Sequence, residues 1–385
     1  MGQERDRRSD QKGQEIGICD SLESWRLLLL GAMDTVSTQA IYDAVSQAHS
    51  QGLVQNTIIV CEPTYPVVCI GFHQMASTDV DIDFCQRKGI PIVRRILGGG
   101  GVLLDRGQIF YQIIAKRGSG VIPYKADDTF EALLRPVVRT LRELGVPAQY
   151  RALNDVQVQG RKISGNGATV IGETLVLTGN IIVDFDYDLM CAILRVPSDK
   201  FRDKVVKSLK ERVTTLKREL DPVPPTSEIE RILVKNFERE LSISLQRRSL
   251  TELESRLLTE ITAKYHSERW LFESEAGHRD LLRKKELRIS GSTRIVENSV
   301  KTAGGLIRVL FEADGDVIRD AAIYGDFSFY PKEKLEKFER SLRGVLLVPE
   351  QVLERARHFF EQEKVETPGV SVQDFVSLFL SEAAV

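Results

Sequence analysis

The stretch NDVQVQGRKISGNG, residues 154–167, decides the fold of this 385-residue chain. Two short strand-like runs flank Gln159-Gly160, a pattern that predicts a β-hairpin with a two-residue turn. Lys162 lies on the second strand and is followed directly by Ser-Gly-Asn-Gly. A positive charge at this place could hold the phosphate and the carboxylate oxygen of an acyl phosphate against their mutual repulsion. The alternative is a solvated lysine on an exposed strand.

A second informative segment, RRILGGGGVLLD at residues 94–105, lies upstream of the hairpin. The run from Ile90 to Ile96 predicts a strand that ends in the glycines Gly98–Gly101. Four glycines carry a high backbone entropy cost, so an ordered loop here indicates that something approaches the main chain closely. Their amides could bind phosphate or carboxylate, and Arg94 and Arg95 could supply bidentate donors. A flexible surface loop is the alternative. Neither a P-loop nor a dinucleotide site is expected, because the accompanying residues are missing.

The rest of the first half alternates strand-like and helical patterns. The sequence predicts further strands at Thr57 to Cys61, Val67 to Ile70, Ile109 to Ala115, Thr174 to Leu177 and Ile181 to Val183. The first two are expected to be adjacent. Helices are predicted at Ala32 to Ser50 and Asp128 to Leu144. The predicted fold class is α+β, with a mixed β-sheet and flanking helices, because the hairpins disfavour a doubly wound parallel sheet.

A proline-rich break at residues 221–227 (DPVPPTS) separates this region from two charged helices, Glu228 to Glu240 and Thr251 to Tyr265. A second unit is expected to begin near Trp270. Its strands are predicted at Leu287 to Ser290, Gly305 to Phe311 and Val317 to Tyr324, followed by helices. The expected organisation is a disordered tail (1–20), a main domain (21–250) and a small α+β domain (251–385).

Composition excludes several classes of protein. The chain has 53 basic and 55 acidic residues, so no global charge attracts it to nucleic acid or to an anionic membrane. Five cysteines without a C-x-x-C pair argue against a disulfide framework and a structural zinc site, and the five histidines lack metal-ligand spacing. We expect Cys61 and Cys69 in the core and His73 at the surface. A cytoplasmic location is expected, since no signal, transit or membrane-spanning segment is recognised.

The two segments together resemble the biotin and lipoate protein ligase family, and in particular the lipoate-protein ligases. That family carries an R-R-x-S-G-G-G-x-V-x-H-D loop followed, at the separation found here, by an N-D…G-x-K-[IV]-S-G-[SN] hairpin. Further stretches that resemble it are LRVPSDKFRDK (194–204), ERVTTL (211–216), KTAGGLIR (301–308) and GDF (325–327). The resemblance runs from about residue 25 nearly to the end. It implies a catalytic domain fused to the accessory domain of the family.

The resemblance implies a two-step reaction. Lipoate and ATP would form lipoyl adenylate with loss of pyrophosphate, and an acceptor lysine would then attack the mixed anhydride. Lys162 would polarise the carbonyl and neutralise the phosphate in both steps. The expected lipoyl-binding residues are Gly71, Arg95, Gly98, Gly99, Gly100 and Gly101. The expected nucleotide-binding residues are Asn154, Asp155, Lys162, Ser164 and Gly165.

The resemblance also implies a cofactor and partners. Mg²⁺ would be bound mainly through the ATP phosphates, and no protein metal ligand is expected. The acceptor would be an E2 domain, a glycine-cleavage H protein or a dedicated lipoate-binding protein. The chain itself is expected to be a monomer.

Two other functions remain open. An octanoyl or lipoyl transferase of the same superfamily needs no ATP and passes the acyl group through a cysteine thiolate. In the transferases that most resemble this chain that cysteine precedes the lysine, whereas residues 147–155 (PAQYRALND) contain none, and Cys191 has apolar neighbours. A catalytically silent binding module is the third possibility, although the retained Lys162 argues against it.

Several positions depart from the family pattern. Leu97 replaces a serine, Leu104 and Thr178 each replace a histidine, and Phe72 stands where many ligases have arginine. The basic run from Lys204 to Arg218 predicts a solvated helix face, with pyrophosphate binding as the alternative.

Overall fold

The computed structural model describes residues 22–151, 153–195, 199–286 and 293–380. The predicted tail 1–20 and the predicted strand at Leu287 to Ser290 lie outside these ranges. Among the described helices, none combines the length and the apolar character that crossing a bilayer requires.

The described residues form strands that belong to three sheets. In chain order they are β1 (Glu23–Met33), β2 (Thr57–Pro63), β3 (Val67–Ile70), β4 (Ile92–Arg94), β5 (Val102–Leu104), β6 (Gln108–Lys116), β7 (Gln149–Arg151), β8 (Asp155–Val158), β9 (Arg161–Ile171), β10 (Thr174–Ile182), β11 (Ile243–Arg247), β12 (Thr293–Thr302), β13 (Gly305–Asp314) and β14 (Val317–Gly325).

The helices flank these sheets and connect them. In chain order they are α1 (Thr35–Ser50), α2 (Ala76–Asp79), α3 (Ile82–Lys88), α4 (Ala126–Glu143), α5 (Tyr187–Ile193), α6 (Asp199–Arg212), α7 (Leu216–Glu219), α8 (Thr226–Leu241), α9 (Glu252–Tyr265), α10 (Glu268–Leu271), α11 (Glu273–Ala276), α12 (Arg279–Glu286), α13 (Leu335–Ser341), α14 (Pro349–Glu363) and α15 (Val372–Leu380).

The largest sheet has eight strands in the order β11-β1-β2-β6-β10-β9-β8-β7. Strand β1 is parallel to β11 and to β2, and the other pairs are antiparallel, so the sheet is mixed as predicted. Both faces of the sheet are buried, as the alternate side chains of β6 show. Tyr111 and Ile113 pack towards α4 and α8, whereas Phe110 and Ile114 pack towards α1 and α9. The α+β fold class is confirmed.

A small sheet, β4-β3-β5, carries the glycine segment at one end. The prediction that β2 and β3 are adjacent was wrong, because β3 pairs with β4 and β5 and not with β2. Pro63 is the last residue of β2, and Pro66 immediately precedes β3. Proline has no N–H for a strand ladder, so the chain leaves the large sheet here and starts a new one.

Two further predictions need correction. The first helix begins at Thr35 and not at Ala32, because Ala32 belongs to β1, a strand that the sequence reading missed. Asp34 caps the helix by accepting from Ser37 N at 2.8 Å. The two predicted strands after Thr174 are one strand, β10, in which Thr178 and Gly179 continue the pairing with β9.

The C-terminal part contains a three-stranded antiparallel sheet, β12-β13-β14, covered by α13, α14 and α15. Trp270 does not open this unit as predicted. Its ring stacks on Tyr265 with centroids 5.8 Å apart, and its indole N–H donates to Arg94 O at 2.7 Å. Trp270 therefore packs into the core of the large domain, while the division at residue 250 stays a prediction.

Candidate active site

The glycine loop, Gly98–Gly101, connects β4 to β5 and is held by an arginine. The Arg95 guanidinium donates to Gly98 O at 2.7 Å and Gly100 O at 2.8 Å. Gly99 has φ +85°, in the left-handed region that glycine tolerates. The loop is therefore ordered by main-chain contacts with its own arginine. The expected contact between Arg95 and the acyl group stays a prediction.

Gly71, at the end of β3, packs directly on this loop. A Cβ on Gly71 would overlap the carbonyl oxygen of Gly99. The Gly71 N–H donates to Gln74 Oε1 at 2.9 Å. The structure thus brings Gly71 and the four loop glycines together, and any substitution at Gly71 must displace the loop.

Arg94 has a different role from the one expected. Its side chain is fully buried, and burial lowers its pKa to about 10 although nearby carboxylates oppose this shift. Its guanidinium is occupied by backbone carbonyls and is not available to phosphate. The acceptors are those of Gly71, Phe72, Gln74, Trp270 and Leu271. Arg94 therefore joins the segment after β3 to α10, a contact invisible in the sequence.

The hairpin β8–β9 has the predicted turn. Gln159 and Gly160 have φ +51° and +80°, as a type I′ turn requires. On the second strand, Lys162 Nζ lies 2.7 Å from Asp155 Oδ1, and the two side chains are 35% and 27% exposed. The amine is therefore held by one carboxylate and remains open to solvent on another side.

Gly165 makes room for the lysine. A Cβ on Gly165 would lie 2.9 Å from Lys162 Cε, so the lysine stem crosses a bare stretch of backbone. The Gly165 N–H donates to Asn180 Oδ1 at 2.8 Å, and Asn180 Nδ2 donates to Gln108 Oε1 at 2.7 Å. The sequence reading missed Asn180 and Gln108, because only the pairing of β6, β9 and β10 brings them under the hairpin.

Asn154 and Ser164 stabilise the hairpin from inside. Asn154 Nδ2 donates to Asn166 O at 2.5 Å, and Asn166 Nδ2 returns a bond to Asn154 O at 2.9 Å. Ser164 is fully buried, with its hydroxyl 2.9 Å from the Tyr111 hydroxyl. These side chains are thus engaged within the protein, and their contact with a nucleotide stays a prediction. Gly179 is required here, since a Cβ would overlap Asn166 and Tyr111.

The C-terminal domain, which contains β12–β14 and α13–α15 and is called the accessory domain below, packs on the glycine loop. Gly99 N donates to Phe327 O at 3.2 Å, and Gly325 N donates to His73 O at 3.0 Å. The Phe327 and His73 rings stack with centroids 5.2 Å apart. His73 is buried and not at the surface as expected. Desolvation, with smaller contributions from Lys332 and Arg94, lowers its pKa to about 3, so it is neutral in this interface.

A second contact joins the two domains beside the hairpin. The Tyr330 hydroxyl donates to Ala168 O on β9, and Arg117 pairs with Glu366 at 3.1 Å. A Cβ on Gly369 would overlap Leu153, the residue before Asn154. The accessory domain therefore contacts both segments that the sequence singled out.

Two of the positions that depart from the family pattern, Leu97 and Leu104, have apolar surroundings. Leu97 and Leu104 are buried in the cluster between the sheets and α1. The Phe72 ring lies at the edge of this cluster, 4.5 Å from Lys332 Nζ of the accessory domain. The apolar replacements at 97 and 104 therefore extend a core in which a polar group would need a partner.

The cysteines within the described ranges, Cys61, Cys69, Cys85 and Cys191, form no disulfide and are all buried. Burial raises the pKa of the thiols of Cys61 and Cys69, and Arg95 opposes the shift at Cys69. The prediction that Cys61 and Cys69 are core residues is confirmed. Within the same ranges, no group of three or more His, Cys, Asp or Glu side chains could hold a metal ion.

The basic run from Lys204 to Arg218 ends next to β9, the strand that carries Lys162. Val213, which follows α6, bridges to Lys162, and Thr214 N donates to Lys162 O at 2.8 Å. Arg161, beside Lys162, pairs with Glu219 of α7 at 3.0 Å. Residues 213–219 thus lie beside Lys162.

Comparison with known proteins identifies the family of this chain. The family model of the lipoyl protein ligase A/B catalytic domain matches residues 34–238, more than half of the chain. The chain belongs to the lipoyl protein ligase A/B family. A second model, the bacterial lipoate protein ligase C-terminus, matches residues 295–379. The predicted resemblance to lipoate-protein ligases is confirmed.

Relatives within the lipoyl protein ligase A/B family include both transferases and ligases. The octanoyltransferase LipM of Kyrpidia tusciae is 28% identical over 272 residues, covering 65% of this chain and 98% of that protein. Lipoate-protein ligase A subunit 1 of Thermoplasma acidophilum is 31% identical over 214 residues, covering 53% of this chain and 79% of that protein. The chain is therefore an enzyme of a family of lipoate ligases and lipoyltransferases.

Solved structures of this family share the fold of 65% of this chain. The bipartite lipoate protein ligase from Thermoplasma acidophilum, studied with its E2 lipoyl domain, aligns with TM-score 0.59 and 28% identity over 65% of this chain and 96% of that one. A lipoate-protein ligase A bound with ATP aligns with TM-score 0.56 and 26% identity over 65% and 98%.

Proposed function

We propose that the chain is an ATP-dependent lipoate-protein ligase that forms lipoyl adenylate and transfers the lipoyl group to a lysine of an acceptor protein. The observation that carries the proposal is the ligase-type C-terminal domain at residues 295–379, whose Phe327 carbonyl binds the glycine loop. The LipM relative matches over 98% of its own length yet covers 65% of this chain, so a large part of this chain has no counterpart in it.

The chemistry of the two steps fits the arrangement of Lys162. In the first step a lipoate oxygen attacks the α-phosphorus of ATP and pyrophosphate leaves. In the second the acceptor amine attacks the acyl carbon, the bond to AMP breaks, and the amine loses a proton. In the first step an ammonium group would offset the repulsion between the anionic carboxylate and the α-phosphate. In the second step it would stabilise the negative charge that develops on the acyl carbonyl oxygen and on the oxygen that leaves with AMP. The ion pair with Asp155 would hold the Lys162 amine in position before the substrates bind.

The nucleotide would lie along the hairpin beside Asn154, Asp155 and Gly165, with the acyl chain along Gly71 and the glycine loop. The ATP-bound ligase A among the structural neighbours supports nucleotide use by this fold. Magnesium would be held through the ATP phosphates, since this cation prefers phosphate oxygens and water to an all-protein cage. The acceptor would be a lipoyl domain, as in the archaeal system of the structural neighbour.

An octanoyltransferase is the second candidate, favoured by the match to LipM over nearly its full length. That chemistry requires a thiolate within reach of the acyl group. The described cysteines are buried, and burial raises the thiol pKa of Cys61 and Cys69. Residues 147–155, before the catalytic lysine, contain no cysteine. These observations favour the ligase over the transferase.

The deciding experiment supplies purified protein with lipoate and ATP in the absence of any acceptor. We expect release of pyrophosphate and a protein-bound lipoyl adenylate detectable by mass spectrometry. An octanoyl carrier protein without ATP serves as the parallel substrate. Acyl transfer from that carrier without adenylate formation would establish the transferase, and no reaction with either substrate would establish a silent module.

A further inference from the structure

The helices α6 and α7 carry a concentration of positive charge, here called the basic strip: Lys207, Lys210, Arg212, Lys217 and Arg218. All five are exposed. Between Lys204 and Arg218 the sequence has six basic residues and one acidic residue, Glu211, although the whole chain has a net charge of -2. The strip is therefore a local feature and not a consequence of overall composition.

The basic strip lies next to the proposed catalytic lysine. Val213 directly follows α6 and forms an isolated parallel β-bridge with Lys162. At 1.5 Å per residue, Lys210 and Lys207 lie about 5 Å and about 9 Å back along the helix from Val213. A lysine that is to be acylated has only a four-carbon stem, so the protein surface around it must come close to Lys162. That surface then necessarily approaches the strip.

The strip is ordered by its own contacts. Arg218 donates to Lys210 O at 2.9 Å, Val213 O at 2.8 Å and the Tyr187 hydroxyl at 3.0 Å. The Lys210 amine also lies 5.9 Å from the Tyr187 ring centroid. Arg218 thus fixes the end of α6 and is unsuitable for a clean test.

Acidic residues balance only part of the charge. Lys217 pairs with Asp184 at 2.5 Å. Asp188 and Glu211 line a groove together with Lys207, Lys210 and Arg218. Lys207 and Lys210 both line this groove and are exposed, so a partner that enters the groove would meet them.

We propose that the basic strip binds acidic side chains around the acceptor lysine and so guides that lysine to Lys162. This proposal rests on the proposed ligase function and identifies the chemistry of its protein substrate. Exposed charges spread along two helical turns match the surface of another protein better than they match pyrophosphate, which needs donors converging in an enclosed site. Charges at the rim of an interface act mainly on the rate of encounter and on its dependence on salt.

The test uses the full chain and an unlipoylated E2 lipoyl domain with acidic residues beside its acceptor lysine. The variant is Lys207→Glu with Lys210→Glu. We expect its KM for the domain to rise about tenfold while pyrophosphate release from lipoate and ATP, without acceptor, stays unchanged. Raising the salt from about 0.05 M to about 0.3 M should increase the wild-type KM and leave the variant KM nearly constant.

Two controls make the result specific. Arg231→Glu with Lys235→Glu reverses two exposed charges on α8 and should leave the KM unchanged. The second control is a lipoyl domain whose acidic residues beside the lysine are changed to amides. The wild-type enzyme should have a raised KM for this domain, and the Lys207→Glu, Lys210→Glu variant should have the same KM for it as the wild type. Thermal unfolding of each variant confirms that the fold is retained.

The outcomes separate the two proposals. An unchanged KM overturns the docking surface, and so does a loss confined to pyrophosphate release, which would instead assign the strip to pyrophosphate. If the wild type makes no lipoyl adenylate but still acylates the domain from an octanoyl carrier with the same dependence on Lys207 and Lys210, the ligase function fails and the docking surface stands.

Discussion

The glycine loop and the Lys162 hairpin come from the two most informative sequence segments, yet they are held in opposite ways. The loop is fixed by the Arg95 guanidinium and by the Phe327 carbonyl of the accessory domain. The Lys162 amine has one carboxylate contact and a side chain that is 35% exposed. The glycine loop shapes the site, and tight packing keeps its shape constant. The Lys162 amine would have to contact different oxygens in the two proposed steps, so it must be able to exchange its contact with Asp155. The comparison is therefore between a rigidly held loop and the partly exposed amine that we propose to be catalytic.

The largest effect is expected on the reactive side of the comparison. If the proposed mechanism holds, Lys162→Ala should lower the rates of adenylation and of transfer at least about a hundredfold, because it removes the charge that would stabilise both transition states. The free energy of unfolding should change by less than about 1 kcal/mol, since the ion pair with Asp155 is partly exposed. Pyrophosphate release and denaturant unfolding measure the two quantities.

A matched control for Lys162 lies on the same sheet. Lys116 pairs with Glu173 at 3.4 Å and is 61% exposed. Lys116→Ala should leave both rates unchanged. Normal adenylation by the Lys162→Ala variant would remove the hairpin lysine from the mechanism.

Substitutions that disturb the glycine loop should lower the free energy of unfolding. Gly71→Ala places a Cβ against the Gly99 carbonyl and should destabilise the protein by about 1–3 kcal/mol while also reducing adenylation. Gly277→Ala is the control, because a Cβ there meets nothing within 4 Å. Its effect should stay within about 0.5 kcal/mol. Equal unfolding midpoints for the two variants would show that the loop is not tightly packed.

The contact between the glycine loop and the accessory domain should depend on pH through His73. The pKa of this residue is lowered from 6.5 to about 3 in the folded protein, chiefly by burial. The folded state therefore resists a proton that the unfolded chain accepts, and stability present above pH 6.5 is lost as the pH falls towards 3. Between pH 7 and pH 5 the loss should be about 2 kcal/mol.

The variant His73→Gln isolates this contribution from the other titrating groups. Urea unfolding at both pH values should give wild type a steeper loss than the variant. Parallel losses in the two proteins would mean that His73 titrates normally and that the interface is open to water.

The smallest effect is expected at the rim between the domains. Arg117 and Glu366 are 20% and 49% exposed. Glu366→Gln should change the free energy of unfolding by less than about 0.5 kcal/mol and leave adenylation unaltered. A larger change would place this pair among the contacts that hold the accessory domain.

The sequence reading was most accurate where structure depends on neighbouring residues. The turn at Gln159 and Gly160, the helix after Thr251 and the loop at the end of β4 all follow from local patterns. It failed where a group finds its partner far along the chain. Arg94 was assigned to an anion and binds Trp270 and Leu271 carbonyls, and His73 was expected at the surface and stacks on Phe327.

The amino-acid order alone determined the mixed α+β fold, the hairpin with its lysine, the glycine loop and the family resemblance, because each is encoded within a few neighbouring residues. Tertiary structure decided which polar groups are already satisfied. Arg95 is taken up by loop carbonyls, Ser164 by Tyr111, and Gly165 by Asn180. Hydrogen bonds saturate, and only the folded arrangement shows which donors remain for a ligand.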